Sequence, residues 1–153
     1  MVYEWKSGYS HKVKPEVAGA VFEELEKKKG LTAQTLVDAS RPEDAPLHRE
    51  FEWEDSVAAE KYREQQARVL IAHLTVRMEE VAEAPPTRAY VSLKDDTSKY
   101  EHIATVLADS KKTDALFDVA MKELIAFKTK YANLKQFAEV FAVIDKLGAE
   151  YYG

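Results

Sequence analysis

The chain contains no cysteine and only five glycines. Without cysteine it has no disulfides, thiol nucleophiles or cysteine-bound zinc, which suits a reducing compartment. None of the glycines forms a Gly-x-Gly pair, so the dinucleotide fingerprint and the P-loop are both missing. A Gly-x-Ser-x-Gly elbow is missing as well. The sequence therefore gives no sign of nucleotide-driven or acyl-transfer chemistry.

Long apolar runs and metal-ligand motifs are lacking too. No stretch approaches the roughly 18 apolar residues of a membrane helix. Glu4 and Lys6 place charges where a secretory signal would be apolar. The four histidines are scattered, and no pair has the spacing of two ligands on one helical face. We expect a cytoplasmic protein with no membrane association, no metal and no cofactor.

What is present describes a globular chain. Its 153 residues are 46% hydrophobic and 32% charged, which is enough for one domain with a real core. Residues 1–84 hold 12 basic and 17 acidic side chains, whereas residues 85–153 hold ten of each. The excess of negative charge in the N-terminal part weighs against duplex DNA binding, which usually needs a basic surface.

Helix signals recur along the N-terminal half. Pro15 suits the first position of a helix, and Gly30 suits its end. Thr32 can cap a second helix that stops before a proline-rich loop. Asp55 or Ser56 can cap a longer third helix after that loop. In the loop itself, three apolar side chains should anchor it to the core: Leu47, Phe51 and Trp53.

Three more helices are predicted near the C-terminus. Ser98 and Glu101 have the spacing of a capping box ahead of the first. The other two carry apolar residues three and four apart: Leu116, Ala120, Leu124, Phe127 and Tyr131 on one, and Leu134, Phe137, Phe141, Ile144 and Leu147 on the other. Gly148 is expected to end the last helix. Such stripes favour an antiparallel helical hairpin, with Phe127 and Phe141 at the contact.

The period of the pattern changes once, in the middle of the chain. Apolar residues alternate with polar ones over 73–81 and again over 87–93, which predicts two antiparallel strands. We therefore expect an α+β, mostly helical fold of about six helices with one two-stranded antiparallel β-hairpin packed on them. A single domain should span 1–153, with an N-terminal helical part (1–72), the β-hairpin (73–93) and the C-terminal helices (98–148).

The proline-rich loop and the following helix supply the candidate functional surface: His48, Glu50, Glu52, Asp55, Tyr62 and Arg63. A carboxylate near an imidazole can set up acid–base chemistry. Arg63 could bridge to the carboxylate of Glu52 or Asp55. Such groups more often fix a loop, so a structural role is the preferred interpretation and no catalytic residue is assigned.

A basic run precedes the predicted corner between the first two helices. Lys27, Lys28 and Lys29 stabilise a helix C-terminus by opposing its dipole. The alternative is a helix-turn-helix in which these lysines contact phosphates and Gln34, Thr35 and Arg41 contribute to DNA binding. The N-terminal arm leaves a similar choice open. Its aromatic and basic residues could stack on nucleic acid, or its rings could fold back on the core.

Several segments together resemble a known group of proteins. They are Tyr3-x-Trp5-Lys6-x-Gly8, the Pro-Leu-His-x-x-Phe-Glu-Trp segment that ends at Trp53, Tyr62-Arg-x-x-Gln-Ala-Arg-x-Leu-Ile71 and Glu123-Leu-x-x-Phe-x-x-Lys-Tyr131. Across nearly the whole chain this resembles a family of small bacteriophage- and prophage-encoded proteins. The resemblance implies a phage origin and action in the bacterial host cytoplasm. The family carries no assigned activity, so no catalytic role follows from it.

Three functions remain as hypotheses. The leading one is a non-enzymatic phage protein that acts through protein–protein contacts, including self-association. The second is a helix-turn-helix DNA-binding protein. The third is an enzyme built on His48 and its neighbouring carboxylates.

Overall fold

The computed structural model describes residues 1–54, 57–78, 84–93 and 99–153, without the side chains of Val57 and Ala58. Within these ranges the chain forms six α-helices and five short strands. The strands are β1 (Val2–Trp5), β2 (Leu74–Arg77), β3 (Thr87–Arg88), β4 (Tyr90–Val91) and β5 (Glu101–His102). The α-helices are α1 (Pro15–Lys28), α2 (Ala33–Ser40), α3 (Val57–His73), α4 (Ile103–Leu107), α5 (Ser110–Tyr131) and α6 (Ala138–Tyr152). Two single-turn 3₁₀ helices cover His48–Glu50 and Lys135–Phe137. The predicted mostly helical α+β class is confirmed.

The predicted hairpin is present as the antiparallel pair β2 and β3, in a sheet ordered β1-β2-β3. The first strand was not expected: β1 lies antiparallel to β2, with Tyr3 opposite Val76. Residues 79–81 of the predicted first strand lie outside the described residues. The predicted second strand, 87–93, is wrong as one unit, because β4 pairs instead with β5. The chain passes from one sheet to the other at Ala89. Its N–H donates to the carbonyl of Leu74, and its carbonyl oxygen accepts from the N–H of Ile103.

Most of the helix boundaries follow the local signals. Pro15 begins α1, and Gly30 follows it with φ of 80°. Thr32 caps α2 in a reciprocal capping box with Thr35. The predicted caps of α3, Asp55 and Ser56, lie outside the described residues.

Two boundaries near the C-terminus were wrong. Glu101 lies in β5, and the cap of α4 is His102, whose Nδ1 accepts from the N–H of Ala104. The proposed partner Ser98 lies outside the described residues. Gly148 does not end α6, which continues to Tyr152, because a glycine with helical dihedrals weakens a helix without stopping it.

The main hydrophobic core lies among β1, β2, β4 and helices α1, α2 and α3. Phe22 and Leu36 are fully buried there, and Leu47 and Phe51 bring the proline-rich loop onto it. Trp53 packs against the same core while partly exposed. The predicted anchoring of this loop is therefore confirmed. No helix among the described residues is long and apolar enough to cross a membrane.

The predicted helical hairpin forms from α5 and α6, which pack against each other outside this main core. Three of its side chains are buried within the described residues: Met121, Phe141 and Ile144. The N-terminal end of α5 contacts α4, and Lys112 forms an ion pair with Glu101.

Candidate functional site

The candidate surface around His48 is a structural anchor. The His48 ring stacks on the Trp53 indole, with the centroids 4.9 Å apart and the planes within 7°. Its Nδ1 lies 2.9 Å from the carbonyl oxygen of Ser40, an acceptor, so this nitrogen carries the proton. The Trp53 indole N–H in turn donates to the carbonyl of His48 at 2.9 Å. These bonds fix the loop to the end of α2.

Arg63 closes the anchor from α3. Only 2% of the residue is exposed, and its guanidinium donates to the carbonyl oxygens of Glu52 and Glu54. It also forms an ion pair with Glu60 and lies 5.1 Å from the Trp53 ring centroid. The expected bridge to the Glu52 carboxylate is therefore wrong, because Arg63 bonds the Glu52 backbone. The other proposed partner, Asp55, lies outside the described residues.

The carboxylates of Glu52 and Glu60 also form hydrogen bonds within the anchor. The Glu52 carboxylate accepts from the backbone N–H groups of Trp53 and Glu54, at 3.1 and 3.3 Å. Glu60 pairs with Arg41 as well as with Arg63, and these hydrogen bonds lower the pKa of its carboxyl. Both guanidiniums flank the Trp53 ring.

Glu50 points away from this anchor and joins two histidines from distant segments. Its Oε2 lies 3.3 Å from Nδ1 of His11, and Nε2 of His11 lies 3.0 Å from Nδ1 of His73. These three residues are called the histidine–glutamate cluster below. The side chains of His11 and Glu50 are 11% and 7% exposed, so the carboxylate is nearly buried. Three titratable groups are thus connected in a row.

The N-terminal arm wraps around this cluster. Trp5 lies against His11 with the centroids 4.2 Å apart, and Tyr9 lies against His73 at 3.8 Å. The backbone N–H of Val13 donates to Glu50 Oε1 at 2.8 Å. The arm therefore folds back on the body, as its structural interpretation predicted, although Tyr9 remains 50% exposed.

The surroundings of His73 disfavour its charged form. Burial lowers the pKa of His73 most, and the positive charges of His11, Lys6 and Arg88 lower it further.

A shallow cavity of about 290 Å³ opens beside the cluster. It is lined by His11, Glu50, Tyr62, Gln65, Gln66, Val69 and Leu70. Glu50 and Tyr62 from the candidate surface reach it, but His48 does not. The phenol of Tyr62 is the one hydroxyl group among these lining side chains. The enzyme hypothesis was centred on His48, which does not line this cavity.

The cluster does not have the geometry of a metal centre. The ring nitrogens of His11 and His73 bond to each other and so do not converge on a common point. Across the described ranges, no three His, Asp or Glu side chains are placed to hold a metal ion.

The DNA-contact candidates are partly used within the fold. The Thr35 hydroxyl donates to the carbonyl of Gly30 and takes part in the α2 cap. Arg41 pairs with Asp38 and Glu60. Lys28 pairs with Glu24, while Lys27, Lys29 and Gln34 are exposed. A recognition helix would need the Thr35 and Arg41 side chains free.

The largest unexplained surface lies on the α5–α6 hairpin. Seven large apolar side chains are each between 36% and 57% exposed: Phe117, Leu124, Phe127, Phe137, Val140, Val143 and Tyr151. We call this set the hairpin face. Their spacing along α5 and α6 places each group on one side of its helix.

Aromatic contacts join the two halves of the hairpin face. Phe127 lies 5.7 Å from Phe137, and Phe117 lies 4.9 Å from Tyr151, between ring centroids. The expected helix–helix contact forms, since the ring centroids of Phe127 and Phe141 lie 6.3 Å apart, although Phe127 remains 37% exposed. The apolar stripes are wider than two helices can cover for each other.

Sequence reasoning missed both the histidine–glutamate cluster and the exposure of the hairpin face. His11 and His73 are 62 residues apart, and only the unexpected strand β1 brings the arm to the end of α3. The hairpin stripes were visible in the sequence, but their spacing does not say how much surface the partner helix covers.

Comparison with known proteins yields no relative: no family model, curated protein or solved structure matches the chain.

Proposed function

We propose that this is a non-enzymatic, phage- or prophage-encoded protein that acts through protein–protein contacts made by the hairpin face. The partner we assign to that face is a second copy of the same chain. The observation that carries the proposal is the exposure of seven large apolar side chains on α5, α6 and the 3₁₀ turn that precedes α6. The phage origin rests on the sequence resemblance.

The size of the hairpin face supports an interface. An aromatic side chain has about 150–250 Å² of surface, so seven large side chains exposed to this degree present on the order of 500 Å² of apolar surface. Contiguous apolar patches above a few hundred Å² usually mark interaction sites. Neighbouring half-exposed residues would extend the contact towards the roughly 800 Å² per partner of a standard interface.

The chemistry of the face supports self-association. A two-fold dimer uses the same patch on both subunits, so the patch must complement itself. The seven side chains of the hairpin face carry no charge, and an uncharged apolar patch meets that requirement. Two hairpins packed face to face would form a four-helix bundle, the usual way to bury such stripes.

Charge distribution favours the same partner. Residues 110–152, which form the hairpin, hold seven basic and six acidic side chains, so two apposed hairpins carry little net repulsion. The acidic excess of the chain lies in residues 1–84, outside the hairpin sequence. Ion pairs such as Lys128 with Asp145 lie on the hairpin outside the seven-residue face.

Light scattering on size-fractionated protein tests this proposal. We expect a particle of twice 17.4 kDa for the natural chain. Val143 is the most exposed of the seven side chains, at 57%, so Val143→Lys should give a monomer with unchanged helicity. Ala142→Lys is the matched control, because Ala142 is exposed on α6 outside the face and should leave the dimer intact.

A monomeric natural chain at high concentration, or a Val143→Lys variant that remains a dimer, would rule out the proposed partner and surface.

A further inference from the structure

We propose that the histidine–glutamate cluster is a pH-operated clamp, which holds arm residues 6–13 against the end of α3 near neutral pH and releases them on acidification. This proposal is independent of the hairpin face, since the two surfaces share no residue. It rests on which ring nitrogens face each other and on what surrounds them.

The contact between the two rings limits their charge. A neutral imidazole has one N–H donor and one acceptor nitrogen, whereas the protonated ring has two donors. A hydrogen bond between His11 Nε2 and His73 Nδ1, 3.0 Å apart, needs one donor and one acceptor. The pair therefore carries at most one positive charge while this contact is intact.

Glu50 fixes which nitrogen of His11 faces His73. Its carboxylate accepts from Nδ1 of His11 at 3.3 Å, so Nε2 is left to meet Nδ1 of His73. One proton between these two nitrogens completes the row, and every facing nitrogen is then paired.

A second proton, on His73, would have no acceptor between the two rings. Protonated Nδ1 of His73 would face a donor on His11 and lose the hydrogen bond. The other charged groups around His73 are Lys6 of the arm and Arg88 of β3, both positive, with Tyr9 stacked on the ring. Glu50, the one carboxylate of the cluster, is already paired with His11. Acidification therefore separates the two rings.

Separation of the rings would free the arm but leave β1 in place. Residues 6–10 of the arm are exposed, so little buried area opposes their release. They are held by the Lys6 N–H, which donates to the His73 carbonyl, and by the Tyr9–His73 stack. Further along, Val13 is held by Glu50. Strand β1 has its own antiparallel register with β2 over four residues.

Two-dimensional NMR of the amide and indole N–H groups tests the clamp. The Trp5 indole N–H donates to the Val13 carbonyl at 3.0 Å, and the Val13 N–H donates to Glu50, so both report on the arm. The backbone N–H of Leu36 in α2, which donates to the carbonyl of Thr32, serves as an internal control for the rest of the fold. Between about pH 7.5 and pH 5, the range in which histidines titrate, the Trp5 and Val13 signals should shift together and the Leu36 signal should stay.

His73→Gln removes the second protonation site and supplies a side-chain amide that does not titrate. In this variant the shifts of the Trp5 and Val13 signals should be smaller over that range. His48→Gln, which changes a histidine outside the cluster, should leave their titration as in the natural chain.

Three results would overturn the proposal. The first is that the Trp5 and Val13 signals are unchanged by pH in the natural chain. The second is that they titrate identically in His73→Gln, and the third is that the Leu36 signal moves in step with them, since this would mean general unfolding.

Discussion

The imidazole of His11 lies 3.0 Å from that of His73, ring nitrogen to ring nitrogen, although the two residues are 62 positions apart in the sequence. Glu50 binds the first ring, and the positive charges of Lys6 and Arg88 lie near the second. The proposed clamp would couple the N-terminal arm to the protonation of these rings.

The free energy of unfolding should decrease on acidification below about pH 6.5. The pKa of His73 is lowered in the folded chain, first by burial and then by the nearby positive charges, whereas the unfolded chain has the ordinary value near 6.5. The stability that His73 contributes is therefore complete above that value and is lost as the pH falls towards the folded pKa, by at most about 1.4 kcal/mol per pH unit. His102, whose pKa burial also lowers, acts in the same direction.

Urea unfolding at several pH values measures this dependence. The slope of stability against pH should be smaller in His73→Gln than in the natural chain. Equal slopes would mean that His73 is not coupled to folding.

Two glycines in helices should respond to alanine in opposite directions. A Cβ at Gly19 would overlap the Tyr3 ring, which is held in place by a 2.6 Å hydrogen bond to Glu23, so Gly19→Ala should cost about 1–3 kcal/mol. A Cβ at Gly148 meets only Met121, at 4.0 Å, so Gly148→Ala should gain about 0.5–1 kcal/mol from helix propensity. Chemical denaturation of both variants checks the pair, and a gain from Gly19→Ala would contradict the packing of β1 on α1.

Trp53 should contribute strongly to stability although it is partly exposed. Its indole stacks on His48, lies against the guanidiniums of Arg41 and Arg63, and donates to the His48 carbonyl. Trp53→Ala should cost about 3–5 kcal/mol. Trp53→Phe should cost less, because it loses the hydrogen bond but keeps an aromatic ring in the stack. A loss below about 1 kcal/mol for the alanine variant would mean that the loop is not anchored.

The two phenylalanines of the hairpin should differ in a way that depends on protein concentration. Phe141 is 8% exposed and Phe127 is 37% exposed, so in a dilute monomer Phe141→Ala should be the more destabilising change, at about 3–5 kcal/mol. At high concentration the dimer would bury Phe127, and the difference should shrink. Thermal unfolding at two concentrations measures this, and a constant difference would argue against Phe127 lying in the interface.

Local signals in the sequence predicted much of the helical framework. Pro15 and Gly30 act through their own backbone geometry and Thr32 through a cap to Thr35, so their effect does not depend on distant residues. The strands were harder to predict. β1 and β5 are four and two residues long and exist through pairing with distant strands, which their own composition does not indicate.

The candidate site was predicted only in part, for a similar physical reason. His48, Glu52 and Arg63 do lie together around Trp53, because neighbouring residues of a loop and the next helix turn can meet without long-range contacts. Glu50 instead contacts His11, 39 residues away, through a side chain whose direction the sequence pattern does not determine. The hairpin stripes were visible, but their exposure depends on the number of helices available to cover them.

Pulsed dipolar spectroscopy on a single spin label tests the central claim, self-association through the hairpin face, most directly. The chain has no cysteine, so Ala142→Cys on α6 offers a unique labelling position outside the face. The account predicts one well-defined distance between labels of two copies, which disappears when Val143→Lys is added. The absence of any dipolar signal from the labelled chain, or a signal that survives Val143→Lys, would contradict it.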